Sequence, residues 1–275
     1  MNKTNGLLLT AMIIASSASA SIIINNIGDS YSQNFNSSPI PTSNRDAWTW
    51  TDNSTFAGWY RRSNVNNDTQ TLDPDLLDYT AKGAGVTIDG FYNAHAGTST
   101  DAAIGFLVDG QPTGLKKGSV GMVFQNNTGT TLTGFDVAYQ GEKWYRHTED
   151  TTLLFQYTIQ DSFADINSDI DRAGSGIWTD VGALSWTEAA AADTTWMNGS
   201  VNTTNLNASV SDVTLADGQS LIMRWRIPLT GTKEQGLFID DVTVDNFVAI
   251  PEPATIGLIT LFGTGILAVR RFFMV

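Results

Sequence analysis

Apolar and polar residues alternate with a period of two in several separate stretches of the chain. The clearest are residues 135–139, 153–160 and 221–227, in which every second position is apolar or aromatic. Successive side chains of a β-strand point to opposite faces of a sheet, so this period predicts strands with one buried and one solvated face. Strands of this kind, without a long helical pattern between them, predict an all-β fold built as an antiparallel β-sandwich.

Further stretches complete the expected sandwich. Residues 22–24 and 237–247 are predicted as its first and last strands, and residues 178–186 as a strand between them. Residues 64–78 are polar and are expected to form a loop. Glycine, serine, threonine, asparagine and aspartate are abundant, which is typical of β structure with many turns.

The C-terminal segment, residues 250–275, has a different pattern. A Pro-Glu-Pro turn forms a stiff non-helical spacer, because proline fixes φ and lacks an N–H. An uncharged apolar run from 254 to 269 follows, and a pair of arginines comes next. The residues of this three-part motif outside the apolar run are Pro251, Glu252, Pro253, Arg270 and Arg271.

The apolar run predicts a single transmembrane helix. As a helix it would be roughly 24 Å long, short of the ~30 Å hydrocarbon core. The apolar residues after the arginines extend it, and the arginine side chains can reach the headgroups. Positive charge at this end implies a cytoplasmic C-terminus and an exported body. The alternative is a buried C-terminal helix of a soluble domain.

The N-terminal segment predicts the same orientation. Lys3 is followed by an apolar stretch, residues 7–14, and by an A-x-A site at residues 18–20. This pattern is typical of a secretory signal peptide. The expected organisation is therefore a signal peptide helix at 1–20, an extracytoplasmic β-sandwich domain at 21–249 and a sorting segment at 250–275.

Charge and cysteine content narrow the function classes. The chain has 15 Lys+Arg and 28 Asp+Glu, and removing the four charged residues outside 21–249 leaves 12 basic and 27 acidic, a net −15. So acidic a body argues against binding nucleic acid or anionic lipid. It is compatible with divalent cations or cationic partners. The absence of cysteine excludes disulfides and thiolate chemistry.

The order of Pro-Glu-Pro, apolar run and arginine pair resembles the PEP-CTERM sorting signal of exported bacterial surface proteins. Residues 126–144, 218–228 and 236–244 together resemble the body of an uncharacterised family of secreted PEP-CTERM proteins. The last of these stretches also resembles the closing strand of jelly-roll modules such as the MAM domain, which implies a jelly-roll-like sandwich. The MAM pattern has disulfides, and this chain departs from it there.

The resemblance implies partners and a location. An exosortase, which is a membrane-embedded cysteine transpeptidase, is expected to cleave near the Pro-Glu-Pro turn. The membrane is expected to hold the precursor through the C-terminal helix. Association with exopolysaccharide and biofilm matrix at the outer surface is the implied role.

The acidic pair in the last strand is the candidate cation site. Many jelly-roll modules that this chain resembles hold a structural Ca²⁺ between the first and last strands, with oxygen ligands. The proposed ligands are Asp240 or Asp241 with Asn34 or Asn36. The alternative is an aspartate that bonds a loop backbone or pairs with an arginine such as Arg224. Residues 165–172 resemble a Ca²⁺ loop only superficially, because they lack the glycine and terminal glutamate of an EF-hand.

An aromatic cluster precedes the first arginine pair of the body. It contains Trp48, Trp50 and Trp59 together with Phe56 and Tyr60. One interpretation is a core-edge cluster that plugs one end of the sandwich. The other is an exposed platform on which sugar rings stack.

No catalytic residue is assigned from the sequence. Glu142 is considered as a catalytic acid because Trp144, Arg146 and His147 lie close to it in the sequence. One carboxylate and one histidine make a weak constellation. The alternative is a strand end with a salt bridge and a packed tryptophan.

Three function classes remain compatible with the sequence. The first is an exported, surface-targeted, non-enzymatic protein of the cell envelope or matrix, and the sequence favours it. The second is a carbohydrate-binding module. The third is a secreted hydrolase, for which the chain offers no recognisable site.

Overall fold

The computed structural model describes residues 21–39, 48–65, 75–78, 90–97, 99–107, 115–163, 177–228 and 234–249. These ranges are built from β-strands and two short 3₁₀ turns, Gly182–Leu184 and Gly199–Val201. The strands are β1 Ile22–Ile24, β2 Tyr31–Gln33, β3 Trp59–Val65, β4 Asp75–Asp78, β5 Gly90–His95, β6 Ala102–Leu107, β7 Leu115–Asn126, β8 Leu132–Arg146, β9 Thr151–Gln160, β10 Thr179–Asp180, β11 Trp186–Glu188, β12 Thr195–Trp196, β13 Thr203–Val210, β14 Ser220–Pro228 and β15 Gly236–Ala249.

The strands form two sheets. Sheet A runs in the order β1-β7-β14-β9-β10, with β3 also paired to β7 and β11 to β9. Sheet B runs in the order β12-β8-β15-β6-β5-β4, with β13 also paired to β8 and β2 to β15. The prediction of an all-β sandwich is confirmed. Two pairs depart from the antiparallel expectation, since β1 is parallel to β7 and β4 is parallel to β5.

The core lies between the two sheets and consists of the apolar members of the alternating strands. The alternating residues 135–139, 153–160 and 221–227 fall in β8, β9 and β14. Trp59 and Trp225 stack within the core, with ring centroids 5.8 Å apart and planes 11° apart. A second apolar cluster, which includes Trp144, Trp196 and Phe238, lies apart from the main core. Sheet B is therefore packed against side chains on both faces along part of its length.

Two sequence predictions are corrected here, and one strand was not predicted. Residues 178–186 do not form one strand, because β10 gives way to the 3₁₀ turn at Gly182–Leu184 before β11 begins. The expected loop at 64–78 contains the end of β3 and all of β4. Strand β13 was not predicted, since its apolar residues are few and widely spaced.

Candidate metal centre

Three carboxylates from three neighbouring strands meet in sheet B. Asp101 immediately precedes β6, Asp240 lies in β15 and Glu142 lies in β8, and these strands are adjacent in the order β6-β15-β8. One carboxylate oxygen from each residue lies within 4.8 Å of the other two. We call Asp101, Glu142 and Asp240 the acidic triad.

A β-bulge in β15 decides where Asp240 points. Asp240 pairs with Gln140 and Thr243 with Ala138, so two residues of β15 oppose one residue of β8. Asp241, inside the bulge, has φ of 48°. A bulge of this kind bends the strand and interrupts the alternation of its side chains. Asp240 therefore lies on the same face of the sheet as Phe238. Val242 and Val244, beyond the bulge, point to the opposite face, so the expectation that one aspartate would share their face is wrong.

Glycine at position 105 allows β6 and β15 to approach closely beside the triad. A Cβ atom there would lie 2.5 Å from the Phe238 ring and 2.6 Å from the Leu237 carbonyl oxygen. The site thus rests on a tightly packed strand pair.

The triad is buried on one side and open on the other. Glu142 and Asp240 are each 1% exposed, whereas Asp101 is exposed. Trp144 Nε1 donates a hydrogen bond to Glu142 Oε2 over 2.7 Å. The backbone N–H of Asp241 donates to the Asp240 carboxylate. Within the described ranges, Glu142 Oε1 and Asp240 Oδ1 are buried without a hydrogen-bond partner.

This environment disfavours the ionised form of both buried groups. Burial raises the pKa of Glu142 to about 7, although the Trp144 hydrogen bond opposes the rise, and the carboxylates of Asp101 and Asp241 add to it. Burial raises the pKa of Asp240 to about 9, with further upward contributions from the charges of Asp241, Glu142 and Asp101. A cation placed among these groups would reverse that balance.

The donor set determines which ions the triad could hold. Its ligand atoms are carboxylate oxygens, the hard donors that Ca²⁺ and Mg²⁺ take, whereas Zn²⁺ and Cu²⁺ sites use nitrogen and sulfur ligands extensively. Calcium–oxygen distances are about 2.3–2.6 Å, so two ligands of one ion lie within about 5 Å of each other. The triad's separations fall inside this limit.

The other predicted ligands lie around the triad rather than in it. Asn34 and Asp241 line a groove of about 410 Å³ together with Ser32 and Thr243. Asn36 Oδ1 accepts a hydrogen bond from the backbone N–H of Ala102 over 3.0 Å. That bond holds the residue directly after Asp101.

Sequence reasoning missed two members of the triad. Glu142 was considered as a catalytic acid or as a structural residue at a strand end, but not as a cation ligand, and Asp101 was not considered. Arg224, the suggested partner of the aspartate pair, lies in sheet A, where its guanidinium stacks over Trp178 at 3.8 Å.

The aromatic cluster belongs to the core. Trp59 is 0% exposed and Trp50 is 7% exposed. Trp48 is partly buried and meets Trp50 edge to face, with ring centroids 5.9 Å apart. These positions agree with the interpretation of a core-edge plug. Trp50 and Trp59 present no exposed ring face on which a sugar could stack.

The end of β8 matches the structural alternative considered for Glu142. The strand ends at Arg146, whose Nη2 lies 3.0 Å from Asp193 Oδ2 in an exposed ion pair. Trp144 is fully buried. Glu142 therefore contacts a packed tryptophan, and an ion pair lies at the end of the same strand.

A larger groove lies at the other end of the same sheet. It has a volume of about 650 Å³, and its lining combines hydroxyl, amide and carboxylate groups with the apolar residues Phe135, Val210, Val213 and Val248. Hydrogen bonds from Ser209 and then Asn246 lower the pKa of Asp136 within it. We call it the Asp136 groove.

The terminal predictions fall outside the described residues. The signal peptide at 1–20, the sorting segment at 250–275 with Pro251, Glu252, Pro253, Arg270 and Arg271, and the stretch 165–172 all lie there. Within the described ranges, no helical segment has the length and apolar character needed to span a membrane.

Comparison with known proteins does not assign a family. No protein-family model matches the chain, and no curated protein matches it.

Solved structures give distant similarities. The enzymatically active domain of bacteriophage CBA120 tailspike protein 4 has a TM-score of 0.34 and 7% identity over 70% of this chain and 19% of its own. The K1 cleaved adhesin domain of Lys-gingipain from Porphyromonas gingivalis W83 has a TM-score of 0.37 and 12% identity over 79% of this chain and 98% of its own. TmCBM61 in complex with β-1,4-galactotriose has a TM-score of 0.26 and 11% identity over 54% of this chain and 72% of its own. Scores of this size assign neither family nor activity.

Proposed function

We propose that the chain is an exported, non-enzymatic protein of the cell envelope or extracellular matrix. A signal peptide delivers a jelly-roll-like β-sandwich across the membrane, and a PEP-CTERM-like tail holds it until an exosortase-type enzyme processes it. The observation that carries the proposal is that the fold lies between the signal peptide at 1–20 and the sorting segment at 250–275. Strand β1 begins at Ile22, just after the A-x-A site, and β15 ends at Ala249, just before the Pro-Glu-Pro turn.

The strand connectivity and the charge of the body support this proposal. Strands β6, β7, β8 and β9 alternate between sheets B and A along the chain, as expected for a jelly-roll-like fold. The body has no cysteine and a net charge of −15, which favours an acidic surface that binds cations. The acidic triad suits cation binding, because one carboxylate oxygen from each of its three residues lies within 4.8 Å of the other two.

Intact mass of the protein recovered from cell envelope and from medium tests the proposal. We expect a chain that begins at Ser21 and, in the released form, ends near residues 251–253. Replacing Arg270 and Arg271 with glutamine should alter retention in the envelope, whereas Arg146→Gln, in the body, should not. A full-length chain dissolved in the cytosol with both ends intact would contradict the proposal.

Polysaccharide binding is the second candidate, and the Asp136 groove favours it. The groove is open, and its volume lies in the range of about 300–1,000 Å³ that is usual for ligand sites. Hydroxyl, amide and carboxylate groups such as those of Ser209, Asn246 and Asp136 are suited to hydrogen bonding with sugar hydroxyls.

A glycan array followed by polysaccharide pull-down tests this second candidate. Asp136→Ala and Ser209→Ala should weaken retention, whereas Asp217→Ala, outside the groove, should leave it unchanged. Trp48→Ala should also leave retention unchanged, because that ring packs into the core edge. No retention on any polysaccharide would eliminate the candidate.

A further inference from the structure

We propose that the acidic triad is a calcium site that ties β6, β15 and β8 of sheet B together. Asp101, Glu142 and Asp240 each supply a carboxylate oxygen to the ion. The inference goes beyond the proposed location and role, and it stands or falls separately from them.

The two buried carboxylates of the triad each lack a partner for one oxygen. Glu142 and Asp240 are each 1% exposed, and each has one oxygen without a hydrogen-bond partner within the described ranges. A buried carboxylate oxygen with no partner carries a large desolvation cost unless a proton or a cation compensates it. Both oxygens belong to residues whose ligand atoms converge with that of Asp101.

The other oxygen of each buried carboxylate is held by a hydrogen-bond donor of the protein. Trp144 Nε1 holds Glu142 Oε2 at 2.7 Å, and the backbone N–H of Asp241 bonds the Asp240 carboxylate. Each buried group therefore has one oxygen fixed by the protein and one left over. Donors that orient metal-binding carboxylates in this way are a usual feature of metal sites.

The geometry of the triad favours calcium over magnesium. Calcium accepts six to eight oxygen ligands in irregular geometry, whereas Mg²⁺ requires a near-ideal octahedron with shorter bonds. The triad joins residues from three strands, one of them bulged, which favours the more tolerant ion. Asp101 is exposed, so water can reach the site from that side and complete the coordination.

The consequence is mechanical coupling within sheet B. Without an ion, the mutual repulsion of the three carboxylates and the nearby charge of Asp241 oppose their joint ionisation, so the buried groups tend to keep their protons. A bound ion replaces this repulsion with attraction between each carboxylate and the ion. Binding stabilises the folded state by RT ln(1 + [L]/Kd), where [L] is the free calcium concentration. Asn36 extends the coupling to the loop after β2, since it holds the backbone of Ala102.

Thermal unfolding of the purified full-length chain in mild detergent tests the proposal. Calcium should raise the melting temperature of the wild-type protein progressively with concentration, and Mg²⁺ at the same concentration should raise it less. Glu142→Gln and Asp240→Asn should each abolish the calcium-dependent rise. Asp245→Asn is the matched control, because it removes a carboxylate from the same strand outside the triad, and it should keep the rise.

Terbium luminescence provides a second measurement that does not depend on stability. Terbium bound at the triad should be excited through Trp144, which bonds a ligand residue directly, and calcium should displace it. The signal should disappear in Glu142→Gln and persist in Asp245→Asn. An unchanged melting temperature together with no terbium signal in the wild type would overturn the proposal. Equal responses in the wild type and the triad variants would also overturn it, since they would indicate diffuse binding to the acidic surface.

Discussion

Trp144 donates its indole N–H to Glu142 Oε2 over 2.7 Å, from a position two residues further along the same strand. Residues two apart in a strand share a face, and the burial of both side chains turns this local geometry into a fixed contact. Within the described residues, the second oxygen, Glu142 Oε1, is buried without a hydrogen-bond partner. Trp144 is therefore the residue that positions the glutamate.

Replacing Trp144 with phenylalanine is expected to destabilise the metal-free protein strongly. The variant leaves a buried carboxylate without its donor, which costs about 1–3 kcal/mol beyond the loss of ring volume. Trp186→Phe is the matched control, because Trp186 Nε1 donates in the same way to Glu188, which is partly exposed and can be solvated by water. Urea denaturation measures both, and equal losses would contradict this role for Trp144.

Gly199→Ala is expected to disturb the same tryptophan from the other side. A Cβ atom at Gly199 would lie 2.1 Å from Trp144 Nε1, so the indole or the 3₁₀ turn must move. Overpacking of this kind costs about 1–3 kcal/mol. Gly182→Ala, also at the start of a 3₁₀ turn but with nothing within 4 Å of the added atom, should be nearly neutral. Similar melting temperatures for the two variants would count against the packing described here.

The metal-free protein is expected to lose stability as pH rises from 5 to 9. The folded-state pKa values of Glu142, about 7, and Asp240, about 9, lie above their ordinary values, so the folded state binds more protons than the unfolded state in this window. Stability is thus highest at the acid end and falls as pH passes through each raised pKa. Each extra proton changes the folding constant up to about tenfold per pH unit.

Urea midpoints measured in chelator across this range test the pH dependence. The lowered pKa values of Asp29 and Asp136 give the opposite slope only at lower pH. The double variant Glu142→Gln with Asp240→Asn should flatten the profile. A wild-type profile that rises with pH would contradict the description of the triad.

Trp59→Ala is expected to cost about 3–5 kcal/mol, the usual range for a fully buried tryptophan. Its ring stacks on Trp225 and its Nε1 donates to the Tyr31 hydroxyl over 2.6 Å. Trp48→Ala should cost less, because Trp48 is only partly buried. Chemical denaturation separates the two, and a larger loss for Trp48 would show that the aromatic cluster is arranged differently.

The sandwich was largely predictable from the alternation of side chains, whereas the site was not. Residues 135–140 of β8 have one buried and one wetter face, and the sequence shows this directly. In β14 the alternation marks the strand, but Ile222 and Arg224 on its second face are buried as well. Strand β13 was missed because only Leu206 and Val210 among its residues are buried. The stretch 178–186 was predicted as one strand because its apolar residues do not show where the backbone turns.

The triad depends on two facts that no local pattern contains. Strand order places β6, β15 and β8 side by side, and the bulge at Asp241 turns Asp240 toward them. The sequence suggested Asp240 or Asp241 as the carboxylate that needs a partner, and of the two it is Asp240 that is buried. Its partners could not be identified, because Asp101 and Glu142 are far from it in sequence and only sheet pairing brings them together.

Native mass spectrometry of the chain recovered from the cell envelope tests the central claim, a calcium-bound sandwich, most directly. The account predicts one calcium ion per wild-type chain and none in the double variant Glu142→Gln with Asp240→Asn. A wild-type chain without calcium, or a double variant that binds as much as the wild type, would contradict it.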